Sequence, residues 1–323
     1  MKHERMKFLV FAAVVLTAPV FFKGGYIVNV LVFVGIYSIL AVALNLLLGL
    51  AGQISLGQAA FFGLGAYISG VLTATYAANP WVAMVIAVIA VGVIAFVLGF
   101  PILKLKGHYL AMATLGMGII AYIMFNETVD ITGGPSGLTG IPNLSICGIV
   151  FNTDIKNYYL VWSFAMGTIL LSLNLSASRV GRALRAIHDS EVAARILGVN
   201  VRLLKVQIFT ISGIFSALAG SLYAHTVQFV SPASFGFNVS IELLTMVIIG
   251  GLGSIYGSFL GATILTLLPE LFRALQDYDI VVYGIVLIVI TIFMPGGLIR
   301  GVPLLARFLL AKVKSGLPSA NRV

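Results

Sequence analysis

The feature that most restricts this chain is a succession of apolar runs, each approaching or exceeding about 18 residues, separated by short polar segments. A helix rises about 1.5 Å per residue, so runs of this length cross roughly 30 Å of hydrocarbon. None shows the alternation of a membrane β-strand. With 60% hydrophobic and 9% charged residues, the chain has too few polar groups to cover a soluble globule. The expected fold is therefore all-α, a polytopic membrane helical bundle forming a single transmembrane domain over residues 1–323.

Spans are expected at 8–22, 27–49, 57–78, 81–103, 108–126, 158–177, 206–227 and 280–299, with a glycine-broken segment at 239–273 that crosses or re-enters twice. Lys2, Arg5 and Lys7 before the first run resemble the start of a signal peptide. Pro19 and the bulky Phe21, Phe22 and Lys23 leave no small-residue cleavage site, so this run is read as a first span. The formal charge of +9 falls between spans, where it acts as an orientation signal rather than a nucleic-acid footprint, so no nucleic-acid partner is expected. Placing both termini inside requires about ten passes and leaves only Lys23, Lys156 and Arg273 of the 19 Lys and Arg outside.

One stretch interrupts the apolar pattern at length. Residues 178–205 carry Arg179, Arg182, Arg185, Arg195, Arg202 and Lys205. Ser190 or Asp189 is suited to cap a short helix with Glu191 in its first turn, Arg195 four residues on and Gly198 as its stop. Two turns of helix are unstable alone, so a surface must hold them. Val192, Ile196 and Leu197 would form the apolar face, and Ala193 and Ala194 would keep it slim for a partner. The stretch is read as a cytoplasmic docking element.

Glycines break the apolar pattern twice, at Gly49-Leu-Ala-Gly52-Gln-Ile-Ser-Leu-Gly57 and at Gly250-Gly251-Leu-Gly253-Ser-Ile-Tyr-Gly257. Unwound backbone at membrane depth is tolerated inside protein or beside a water-filled cavity, and paired breaks mark transport paths. Small residues also let helices pack closely, and the pattern leaves both readings open. The neutral polar groups Asn45, Gln53, Ser55, Gln58, Thr114, Asn126 and Gln228 either line a path for a neutral or zwitterionic solute or tie helices together. On the outer side, Thr132-Gly-Gly-Pro-Ser-Gly-Leu138 promises tight turns, as a plug, a docking surface or a plain connection.

No P-loop, H-E-x-x-H motif or Cys/His cluster occurs, so no catalytic residue, metal or cofactor is expected. Cys147 is the single cysteine and cannot form an intramolecular disulfide. Ionisable groups are almost missing from the spans, with Glu242 near a span end, which argues against a proton relay. Two functions remain: a non-catalytic pore subunit of an ATP-driven importer, or a self-sufficient secondary transporter or channel.

The segments LNLLLGLAGQISLGQAAFFGLGAY (44–67), GHYLAMATLG (107–116), TGGPSGL (132–138), GRALRAIHDSEVAARILGVNV (181–201) and MVIIGGLGSIYGSFLGA (246–262) resemble, in order, the LivM-type branched-chain amino-acid ABC transporter permeases. The resemblance implies a ten-helix permease in the bacterial inner membrane, paired with a second permease subunit and two ATPase subunits. A periplasmic solute-binding protein would deliver a branched-chain or other hydrophobic amino acid; permeases for urea or short amides are similar. It also implies that Glu191, Ala193, Ala194, Arg195 and Gly198 belong to the ATPase-coupling loop, although Val192 interrupts the Glu-Ala-Ala run. Asn45, Gln53, Ser55, Gln58, Thr114, Gly250, Gly251 and Gly253 are the candidate translocation-path residues.

Overall fold

The computed structural model describes residues 2–21, 25–146, 149–271, 284, 285, 288, 297 and 298. The expected span at 280–299, the basic tail and Cys147 therefore lie almost wholly outside the described residues. The described chain is helical, with four two-residue strands.

Helix α1 (Lys2–Phe21) precedes α2 (Gly25–Asn45), which runs on into a π-turn at Leu46–Leu50. Helices α3 (Gln58–Ala74), α4 (Pro80–Ile102) and α5 (His108–Glu127) follow, then a short α6 (Val129–Thr132). After an irregular stretch come α7 (Asp154–Ala177), α8 (Arg179–Asp189), α9 (Glu191–Ile196), α10 (Val201–Val227), α11 (Phe237–Gly250) and α12 (Ile255–Leu271). Among the described residues, six stretches are long and apolar enough to cross a membrane: Gly25–Leu50, Pro80–Ile102, His108–Glu127, Asp154–Ala177, Val201–Val227 and Pro232–Gly250. The apolar part of α1, Val10–Pro19, is shorter, as are Gln58–Ala74 and Ile255–Glu270. Charged residues at 2–7 shorten the apolar part of α1, and the non-helical stretch 52–57 delays the start of α3.

Helix α10 is the axis of the bundle. It runs parallel to α3, with Gln58 beside Ser212 and Ser69 beside His225. It runs antiparallel to α4, where Gly99 meets Phe209 and Gly92 meets Ile214. Helix α2 is flanked by α7 in the same direction, with Asn29 Nδ2 donating to Asp154 3.2 Å away, and by α12 in the opposite direction, where Tyr26 reaches Glu270. Tyr158 donates to the Val15 carbonyl at 2.6 Å, and that bond fastens α1 to α7.

The glycine-rich outer stretch is packed rather than free. Strand β1 (Leu138–Thr139) pairs antiparallel with β4 (Phe229–Val230), and β2 (Ser145–Ile146) with β3 (Ile149–Val150). Gly137, at φ +77°, lies against the Val230 carbonyl, which explains the glycine there. Buried His225 donates through Nδ1 to the Pro142 carbonyl at 2.8 Å and accepts at Nε2 from Ser69 at 2.9 Å, so the stretch is pinned to α3 and α10.

Candidate functional site

The two glycine breaks meet. Asn45, at the end of α2, reaches across to the second break: Gly253 N–H donates to its Oδ1 at 2.9 Å, and its Nδ2 donates to the Ser254 carbonyl at 2.8 Å. The Gly253 N–H has no helical partner at the break, and the Ser254 carbonyl, which also accepts from Ser258 N–H at 3.0 Å, is bound by the same carboxamide. Gly49 lies so close to Gly253 that any β-carbon would strike its backbone nitrogen. Gly297 packs onto Gly251 from the far side. Gly250, Gly251 and Gly253 thus join Asn45 in one seam.

The other path candidates form separate ties. Thr114 Oγ1 on α5 accepts from Leu56 N at 3.0 Å and holds the unwound stretch before α3. Ser55 Oγ accepts from Gly57 N at 3.4 Å. Gln58 Nε2 donates to Ser212 Oγ at 2.8 Å and to Ser216 Oγ, which locks the start of α3 to α10. Gln53 is different: it is 3% exposed, and neither its amide nitrogen nor its oxygen has a hydrogen-bond partner. These residues are buried around one unwound stretch, but only Gln53 has both side-chain polar atoms unengaged.

The basic stretch folds as two helices, not one. Ser178 Oγ accepts from Gly181 N at 3.2 Å and starts α8, a basic helix that the spacing argument missed. Ser190 Oγ accepts from Ala193 N at 3.3 Å and starts α9, and Gly198 at φ +82° follows its end, both as expected. Residues 201–205 belong to α10, which begins earlier than the apolar pattern suggested.

Helix α9 presents Val192, Ile196 and Leu197 outward at 67%, 80% and 79% exposure. Ala193 and Arg195 are exposed as well. Ala194 is the correction: at 1% exposure it faces this chain's own core, not a partner. Its small side chain lets α9 lie close to its own protein. Glu191, expected beside Arg195, turns instead to Lys205 and, at 3.2 Å, to Lys106. Partial burial pushes the Glu191 carboxyl up, but the two ammonium groups outweigh it and hold the pKa below the usual carboxylate value. A carboxylate with a lowered folded-state pKa adds stability at neutral pH and loses it as pH falls through that value. Lys106 and Lys205 were legible only as members of basic runs.

The two regions touch. A β-carbon on Gly52, in the first break, would lie 3.0 Å from His188 Nδ1 at the end of α8. The α8–α9 segment is therefore packed directly on the first break.

The family described as "Branched-chain amino acid transport system / permease component" matches residues 26–291. The chain belongs to this permease family. It is 33% identical to the high-affinity branched-chain amino acid transport system permease protein LivM of Escherichia coli K12 over 315 residues, 90% of this chain and 74% of the relative. The LivM protein of Salmonella typhimurium is 33% identical over 287 residues, 82% of this chain and 68% of the relative. The permease protein BraD of Pseudomonas aeruginosa is 26% identical over 292 residues, covering 84% and 94%. No solved structure matches the chain. Both breaks and the α8–α9 segment of this permease lie inside the family match.

Proposed function

We propose that this permease is a pore-forming subunit of an ATP-driven importer that carries branched-chain or other hydrophobic amino acids across the bacterial inner membrane. The relationship to LivM over 90% of the chain carries the reading. A second permease subunit completes the pore, two ATPase subunits hydrolyse ATP, and a periplasmic binding protein delivers the solute; the permease has no catalytic role of its own. Residues 1–323 form one membrane domain of about ten passes with both termini cytoplasmic, which keeps the basic segments inside.

The mechanism follows from how the two regions touch. The ATPases dock on the exposed apolar face of α9, with Glu191, Ala193, Ala194, Arg195 and Gly198 building and ending that helix. Displacement passes through α8 to the first break, where His188 meets Gly52. The Asn45 seam joins that break to Gly250, Gly251 and Gly253, so both move together. Solute passes beside them, its polar head met by Gln53, Ser55, Gln58, Thr114 and exposed backbone amides, and its apolar body by the surrounding Leu, Ile, Val and Phe. Buried Lys205, at the start of α10, is already paired with Glu191, so amides and helix N-termini meet the carboxylate. Uptake of labelled leucine and urea, compared with and without the gene, tests the substrate. Leucine uptake should fall; loss of urea uptake with leucine untouched would overturn the assignment in favour of urea or a short amide.

A further inference from the structure

Lys205 is 5% exposed, so its ammonium needs an anion close by. The anion is Glu191, whose other carboxylate oxygen lies 3.2 Å from Lys106. One carboxylate thus joins three pieces of chain: the first turn of α9, the first turns of α10, and the turn that leads from α4 into α5. Helix α9 has 6 residues and no stability of its own. Its apolar residues Val192, Ile196 and Leu197 face away from the chain, which leaves buried Ala194 and this charged cluster to seat it.

We propose that Glu191 is a positioning residue that clamps the docking helix to α10 and α5 inside this chain and does not itself contact an ATPase. Helix α10, and α5 just after the gripped turn, are the ones that hold the first break. Thr114 of α5 fixes Leu56, and Ser212 and Ser216 of α10 fix Gln58, on the two sides of Gly57. Movement of α9 therefore reaches the unwound stretch from both flanks through a single carboxylate. Charge-assisted bonds suit this task because they are directional, and breaking the one to Lys205 strands a buried charge, whereas Lys106 is exposed. The inference rests on α9 being the ATPase-docking helix.

The test uses the complete transporter, permease pair and ATPases together, in proteoliposomes. Glu191→Gln alone leaves the Lys205 ammonium buried and unpaired and can fail to fold, so Glu191→Gln with Lys205→Met, which removes both charges, is measured beside it. The expected result is that ATPase subunits copurify at the normal level while solute moved per ATP falls on the order of tenfold. The single Lys205→Met should lose somewhat less than the double variant, since it keeps the Glu191–Lys106 pair. Lys106→Met should lose a smaller part. Failure of the double variant to retain the ATPases would overturn the clamp and make Glu191 a partner contact. Full coupling in the double variant would overturn it too. Leu197→Asp separates the underlying reading: if the ATPases still copurify with it, α9 is not their docking site, whatever the clamp variants do.

Discussion

The two breaks share a spacing of glycines but use it in opposite ways. In the second, the glycines face each other's helices: Gly250 abuts the Gly257 carbonyl, and Gly261 abuts the Met246 carbonyl. Helices α11 and α12 close as a tight antiparallel hairpin around 251–254. In the first, the glycines face other elements, Gly52 toward His188 and Gly57 toward the Thr114 carbonyl. Helix α2 loosens into a π-turn, and residues 52–57 run non-helically between it and α3. Backbone that packs on its own hairpin is fixed by local contacts, whereas backbone held from α5, α8 and α10 depends on where those helices stand. The second break is closed mainly by its own hairpin and tied to α2 through Asn45, whereas the first is held from several other helices.

That contrast is broken most severely by filling the hairpin. Gly261→Leu would put a side chain into the Met246 carbonyl and should cost about 3 kcal/mol or more. Thermal unfolding of the purified protein should show a large drop, with little folded material recovered. An unchanged melting temperature would mean that α11 and α12 are not held together as described. Gly52→Ala, placed at φ +65° beside His188, should destabilise less, because the imidazole can shift where a carbonyl cannot.

Next in size is the seam between the breaks. Asn45→Leu leaves the Gly253 N–H without its partner, at about 1–3 kcal/mol, while the Ser254 carbonyl keeps the bond from Ser258 N–H. Stability should fall by less than with Gly261→Leu, while uptake should be abolished because the breaks no longer move together. Retained uptake at reduced stability would reduce Asn45 to a structural tie.

Much of this was readable beforehand, and the failures have a common cause. Ser190 and Gly198 announced the ends of α9 because caps act through neighbours in sequence. The breaks were visible because glycine interrupts a helix wherever it stands. Which way a small residue faces is decided by distant packing, so the local pattern points Ala194 at a partner surface although it faces the core. The start of α10 was placed too late because Lys205 looks like the end of an apolar window. Its charge is matched by Glu191, fourteen residues earlier, and so it fits inside. Helix α8 was missed because its Arg residues disguise the buried stripe of Gly181, Leu184 and Ile187. The pairing of Asn45 with Gly253 spans most of the chain, and no local pattern reports it.

A smaller effect on stability, with a large one on assembly, is expected at the exposed end of the pathway to the first break. Leu197→Asp changes a residue that touches little of this chain, so stability should stay within about 0.5 kcal/mol. ATPase subunits should nevertheless fail to copurify. Ala194→Trp should behave in the reverse order: it displaces α9 from its own core, so stability falls first and docking follows. Equal loss of stability in the two variants would contradict the opposite facing of these residues.

The smallest effect on stability, and the sharpest test of the first break, belongs to Gln53. Its buried amide has no partner, and a polar group in that condition costs free energy with nothing returned in the packed state. Replacing it with Leu, similar in size and apolar, should leave stability unchanged or raise it by about 1 kcal/mol. A residue kept only for packing would show no more than that. If the first break opens to pass solute, the amide meets water or the solute head during the cycle, and Gln53→Leu should lower the maximal uptake rate while ATPase copurification stays normal. Gln53→Asn, which keeps the amide on a shorter stem, should recover part of the rate. Normal uptake in Gln53→Leu would place the solute path elsewhere and leave the first break as a hinge alone.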